Sequence, residues 1–66
     1  MMFGPTQTIH GINNVPKYAL NYRYWVYKEV DGQRWFFGAW EDSRKAIDVA
    51  TKELGWVLDT QTIEEE

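Results

Sequence analysis

The sequence contains no cysteine, and it has one histidine and one serine among its 66 residues. Without cysteine the chain has no disulfide, no thiolate nucleophile and no sulfur metal ligand, so we expect a cytoplasmic protein. His10 and Ser43 lie in different segments, and His10 has no histidine or cysteine at metal-ligand spacing. The sequence therefore predicts a protein that is not an enzyme and that uses no metal and no cofactor.

Long apolar runs and phosphate-binding motifs are also missing. The longest nearly apolar run is Trp35 to Trp40, six residues, whereas a membrane-spanning helix needs roughly 20. The five glycines form neither a dinucleotide-binding fingerprint nor a P-loop. We therefore expect no membrane insertion and no small-molecule substrate.

Aromatic residues are abundant, with four Trp, four Tyr and three Phe, and hydrophobic residues make up 44% of the chain. This is too much apolar material for a disordered chain, whereas the short length leaves room for only one core. The composition predicts a single folded domain.

The middle of the chain predicts a β-hairpin. Residues 22–30 and 33–40 are rich in aromatic and β-branched residues. They are separated by Asp31-Gly32, a dipeptide typical of a type I′ turn. A two-residue loop fixes the register, and the predicted pairs are Glu29 with Arg34, Tyr27 with Phe36, Trp25 with Gly38, and Arg23 with Trp40.

A helix and a third strand follow the hairpin. Residues 41–54 have the spacing of an amphipathic helix, with Asp42 as the predicted N-cap and Gly55 just after the C-terminal end. Residues 56–63 predict a strand. The fold class is therefore α+β, a small ββαβ domain in residues 21–63 with an antiparallel sheet of about three strands packed on one helix.

The two ends of the chain are predicted to lie outside this unit. Residues 1–20 contain many turn-forming residues and predict an irregular N-terminal arm, with a fourth strand at residues 6–9 as the alternative. Residues 64–66 are all glutamate and predict an acidic tail.

The two faces of the predicted hairpin differ. Tyr24, Val26, Phe37 and Ala39 form an uncharged face that suits packing against the helix. The opposite face holds large aromatic residues framed by charges, and one helix cannot cover both. The arm, a second copy of the chain or a foreign partner must therefore shield it. The predicted partner-binding residues are Arg23, Trp25, Tyr27, Arg34, Phe36 and Trp40.

Three functions are consistent with these features. The first is a non-enzymatic protein-interaction module that uses the aromatic face to bind another protein or a second copy. The second is single-stranded nucleic-acid binding on the same face, which the acidic pI near 5.0 disfavours. The third is a phage-type inhibitor that mimics nucleic-acid charge. Its predicted residues are Asp42, Asp48, Glu53 and Asp59.

The stretch YKEVDGQRWFFGAWEDSRKA, residues 27–46, resembles the arm-binding domains of tyrosine recombinases, in which a DG hairpin leads through an aromatic strand into a helix. Those domains have three strands before the helix and a basic sheet. This sequence predicts two strands and carries little positive charge, so we do not assign the chain to that family.

Overall fold

The computed structural model describes residues 6–62, which form a small α+β domain with one helix packed on a five-stranded mixed sheet. The sheet order is β1-β2-β4-β3-β5. The elements along the chain are β1 (Thr6–Ile9), β2 (Ile12–Pro16), the 3₁₀ helix η1 (Lys17–Asn21), β3 (Tyr24–Val30), β4 (Gln33–Trp40), α1 (Ser43–Glu53) and β5 (Trp56–Asp59).

The predicted β3–β4 hairpin and its turn are confirmed. Asp31 and Gly32 have φ angles of 53° and 79°, and a type I′ turn requires positive φ at both positions. Next to the turn the register is the predicted one. The pairs there are Val30 with Gln33, Glu29 with Arg34, and Tyr27 with Phe36.

The predicted register is wrong further from the turn. A β-bulge shifts the pairing between Val26 and Tyr27, so that Trp25 lies opposite Ala39 rather than Gly38. Trp40 likewise lies opposite Tyr24 rather than Arg23. One extra residue in a strand moves every later side chain to the other face. The bulge therefore places Trp40 on the helix side of the sheet.

The N-terminal segment is more regular than predicted. Instead of an irregular arm, β1 and β2 form a second hairpin, and its turn residues His10 and Gly11 have φ angles of 54° and 79°. The alternative of a strand at residues 6–9 is confirmed, since β1 covers these residues. β2 then runs parallel to β4, so the prediction of a purely antiparallel sheet is wrong, and the sheet has five strands. The predicted third strand at residues 56–63 is shorter than expected, because β5 ends at Asp59 and residues 60–62 are not in a strand. Residues 1–5, residue 63 and the acidic tail lie outside the described residues.

The helix begins where the sequence predicts. The Asp42 carboxylate accepts a hydrogen bond from the backbone N–H of Arg44 at 2.9 Å, which is the contact of an N-cap. At the C-terminal end Leu54, rather than the predicted glycine, adopts the left-handed conformation with a φ of 59°. Gly55 is needed for a different reason, because a Cβ atom there would lie 2.5 Å from the carbonyl oxygen of Tyr27.

The sheet buries apolar residues on both faces. On the helix side the buried residues are Val26, Ala46 and Ala50, with Tyr24, Trp40, Val49 and Val57 packed around them. On the other side the buried residues are Ile12, Val15, Ala19 and Trp25, with Ile9, Tyr27, Phe36, Ala39 and Leu58 around them. Ala39 therefore packs away from the helix, contrary to the prediction. Within residues 6–62 no helix is long and apolar enough to cross a membrane.

Candidate functional site

Trp25, the centre of the predicted partner-binding face, is buried. Its side chain is 2% exposed, and its indole N–H lies 2.8 Å from the carbonyl oxygen of Ala19 and 3.2 Å from that of Tyr22. The 3₁₀ helix therefore lies across this face and satisfies the polar atom of the indole. The sequence allowed three ways of shielding this face: the N-terminal arm, a second copy of the chain or a foreign partner. The structure shows the arm at Trp25, because β2 and η1 cover that side chain.

The other predicted partner-binding residues do not share one surface. Trp40 packs on the helix side. Phe36 is half-buried, with its ring edge-on to Trp25 at 6.1 Å between centroids. Arg23 donates two hydrogen bonds to the carboxylate of Asp59, at 2.7 and 2.9 Å. The sequence predicted one continuous aromatic face. In the structure its residues are instead distributed between the cores on the two sides of the sheet, and Arg23 forms an ion pair.

Part of the face does remain accessible, as a row of three side chains across three neighbouring strands. The Arg34 guanidinium lies 5.5 Å from the ring centroid of Tyr27, and the Tyr27 ring stacks on Trp56 at 5.9 Å with 19° between planes. We call this row the Tyr27 ladder. Trp56 is 49% exposed. Trp56 is not among the partner-binding residues predicted from the sequence, so its part in this row was missed.

The four acidic residues of the charge-mimic hypothesis each have a local contact. Asp42 caps α1, Asp48 lies 3.9 Å from Lys52, and Glu53 lies 3.5 Å from Lys28. The fourth, Asp59, bonds Arg23, and this hydrogen bond lowers the pKa of the carboxyl and raises that of the guanidinium. These contacts give each carboxylate a role in the fold.

The overall charge is unevenly placed along the chain. Residues 6–62 contain all seven basic side chains and, once the three terminal glutamates are set aside, seven acidic ones. The described domain is therefore neutral, and the net charge of −3 comes from residues 64–66.

An open cleft of about 660 Å³ lies between β4 and η1. Two aromatic side chains in it are strongly exposed, Tyr18 at 54% and Phe37 at 45%. The Tyr18 ring lies edge-on to Phe36 at 6.3 Å. We call it the aromatic cleft, and its lining residues are Thr6, Asn14, Pro16, Lys17, Tyr18, Phe36 and Phe37.

The aromatic cleft opens where β2 diverges from β4, after only a short stretch of pairing. The two strands pair only at Ile12 with Arg34 and at Asn13 with Trp35. The Asn13 amide donates to the Arg34 carbonyl oxygen at 3.1 Å and so fixes this point. The next residue, Asn14, has a φ of 67° and turns the chain away. The sequence analysis missed this divergence because it predicted residues 1–20 to be irregular.

Neither metal ligands among the described residues nor similar known proteins indicate what these surfaces bind. In the part of the chain from residue 6 to residue 62 no three histidine or acidic side chains gather as metal ligands would. Comparison with protein-family models, with curated proteins and with solved structures found no match. The function is therefore inferred from the geometry of the aromatic cleft and the Tyr27 ladder.

Proposed function

We propose that this domain is a non-enzymatic, cytoplasmic protein-interaction module that binds a polypeptide partner in the aromatic cleft. The observation that carries the proposal is the exposure of Tyr18 and Phe37 beside the half-buried Phe36. The two cores of the domain are already complete without them. Tyr18 lies edge-on to Tyr22 and Phe36, and the Phe37 ring lies 5.7 Å from the Lys28 ammonium, but neither residue belongs to a core cluster.

The residue types and the size of the cleft suit such a role. Aromatic side chains dominate the binding energy of protein interfaces because they bury a large area with few rotatable bonds. Binding pockets usually have volumes of about 300–1,000 Å³, a range that includes this cleft. The polar residues Thr6 and Asn14 lie at its border, which fits the usual arrangement of a polar rim around an apolar centre.

A displayed library of random dodecapeptides, selected against the full chain, tests this proposal. Tyr18→Ala and Phe37→Ala each remove an anchor that is about half exposed, so the fold should remain intact by circular dichroism. The matched control is Ile47→Ala, because Ile47 is 55% exposed on α1 and does not line the cleft.

We expect selected peptides to lose affinity by roughly 30-fold in the cleft variants, which corresponds to about 2 kcal/mol for an interface hot spot. The Ile47→Ala control should bind within about twofold of the wild type, as for a surface residue away from the site. If no peptide is selected, or if the control loses as much affinity as the cleft variants, the proposal is wrong.

Single-stranded nucleic-acid binding on the Tyr27 ladder is the second candidate function. The observation in its favour is the exposed Trp56, which extends the stack of Tyr27 and Arg34 and could stack a base. Residues 6–62 carry seven basic and seven acidic side chains, so the excess negative charge lies in the three terminal glutamates.

This second candidate predicts that a fluorescently labelled dodecathymidylate binds at low salt and dissociates as salt rises. Trp56→Ala should weaken binding by at least about fivefold, since stacking one base contributes about 1–3 kcal/mol. Trp35→Ala is the control, because Trp35 is also exposed and lies outside the ladder. Binding that is unaffected by Trp56→Ala would contradict this candidate.

A further inference from the structure

On the side of β4 that faces the aromatic cleft, the described residues provide no neighbouring strand beyond Trp35, although Gly38 itself is buried. β4 pairs with β3 from Gln33 to Trp40, but on its other side β2 pairs with it only as far as Trp35. No other described strand lies beside residues 36–40. Because the N–H and C=O groups of a strand point alternately to its two sides, some of those in residues 36–40 point away from β3.

The side chains around this edge are apolar on both walls. Phe36 and Phe37 are consecutive in β4, yet both line the cleft. Phe36 packs edge-on against Trp25, on the side of the sheet away from the helix. The Phe37 ring lies 5.7 Å from the ammonium of Lys28, which pairs with Glu53 of α1. The cleft therefore meets both faces of β4 at this edge. Pro16 and Tyr18 form the facing wall.

The other open edges of the sheet lack such walls. The outer edge belongs to β1, whose residues Thr6, Gln7 and Thr8 are polar and exposed. The opposite edge belongs to β5, which is only four residues long. Short and polar edges are the usual means by which proteins prevent strand addition. Among the sheet edges formed by residues 6–62, the one in the cleft alone has apolar side chains on both sides of an unpaired stretch of strand.

We infer that the partner in the aromatic cleft is an extended polypeptide segment that adds to the open side of β4 as a further strand. Its main chain pairs with β4 in residues 36–40, and alternate side chains enter between Tyr18 and Phe37. This inference rests on the proposed function and specifies the conformation of the partner.

The charge in the cleft indicates one further feature of the partner. Lys17 is the only charged residue that lines it, and within residues 6–62 Lys17 makes no ion pair. An acidic side chain in the bound segment would supply the counter-charge. The expected ligand is therefore an extended peptide with an apolar anchor and a nearby Asp or Glu.

The test uses dodecapeptides selected against the full chain, resynthesised with single backbone N-methyl groups at successive positions. A strand that pairs with β4 directs alternate amides toward it, so methylation at every second position should weaken binding by at least about fivefold. Methylation at the intervening positions should leave the affinity within about twofold. The bound domain should also show slower hydrogen exchange at one or more amides of residues 36–40.

A second measurement tests the acidic side chain. Replacing the Asp or Glu of the peptide by its amide should weaken binding to the wild-type chain severalfold and leave binding to Lys17→Gln unchanged. Equal losses with both chains would show that Lys17 does not contact the acid, and would overturn that feature of the inference.

The outcomes separate this inference from the proposed function. Peptides that depend on Phe37 but show no alternation on methylation would leave the proposed function standing and overturn strand addition. Peptides that do not depend on Phe37 would overturn both. If sedimentation velocity shows a dimer of the free chain that Phe37→Ala converts to a monomer, the occupant is a second copy, and the inference of a foreign segment is wrong. Oligonucleotide binding that is lost in Phe37→Ala would likewise overturn it.

Discussion

Replacing Trp25 by phenylalanine tests whether η1 and β2 complete the core on the side of the sheet away from the helix. The substitution keeps an aromatic ring at this 2% exposed position but removes the indole N–H that donates to Ala19 and Tyr22. It also leaves a void in the buried cluster that Trp25 forms with Ile12, Val15 and Ala19.

The expected loss of stability is about 2–3 kcal/mol. The carbonyl oxygen of Ala19 keeps a second donor, the backbone N–H of Tyr22 at 3.1 Å. The lost hydrogen bond should therefore cost about 1 kcal/mol, rather than the larger penalty of an acceptor left without a partner. The smaller ring adds about 1–2 kcal/mol, a fraction of the 3–5 kcal/mol that truncating a buried tryptophan to alanine costs.

A loss of this size is large for such a small domain, whose total stability should be roughly 3–10 kcal/mol. The melting temperature should fall by about 10–20 °C. Thermal and urea denaturation followed by circular dichroism measure both quantities. The control is Trp35→Phe, because Trp35 is 42% exposed, and it should cost less than about 0.5 kcal/mol. Equal effects of the two substitutions would refute the assignment of Trp25 to the core.

Three further predictions concern single contacts. Gly55→Ala should destabilise the domain by about 1–3 kcal/mol in urea denaturation, because the new Cβ would meet the Tyr27 carbonyl oxygen; an unchanged midpoint would show that the loop moves freely. Asp42→Ala should cost about 1 kcal/mol through loss of the N-cap, measured in the same way. Arg23 lowers the pKa of Asp59 below its usual value of 3.8. The ion pair therefore stabilises the fold at pH values above 3.8, and this stabilisation is lost as the pH falls through the lowered pKa. Asp59→Asn should therefore be less stable than the wild type at neutral pH and lose less stability on acidification, whereas parallel pH profiles would contradict this.

The local features of the hairpin and helix could be predicted from the sequence because short-range chemistry determines them. Asp31-Gly32 accepts the positive φ angles of its turn, and Asp42 can cap a helix whichever way the rest of the chain folds. His10-Gly11 carries the same kind of turn signal, since histidine is among the residues that tolerate positive φ. That signal could have indicated the first hairpin.

The bulge in β4 could not be predicted, and the errors in the half of the hairpin far from the turn follow from it. It leaves Phe37 without a partner in β3, and the alternation of residues along the strand does not indicate it. Because of this register shift, the side chains of Trp40 and Ala39 lie on the faces of the sheet opposite to those predicted. The aromatic cleft was missed for a similar reason, because it depends on the point at which β2 leaves β4.

The central claim is that residues 6–21 close the Trp25 face and leave the aromatic cleft as the open surface. Hydrogen exchange of the tryptophan indole N–H groups, followed by NMR on the free full chain, tests it most directly. The indole N–H of Trp25 is buried and hydrogen-bonded, so it should exchange only as the domain unfolds, whereas those of the exposed Trp35 and Trp56 should exchange rapidly. Rapid exchange at Trp25 would contradict the claim. It would show that the N-terminal segment does not cover the Trp25 face and that this face is accessible for binding.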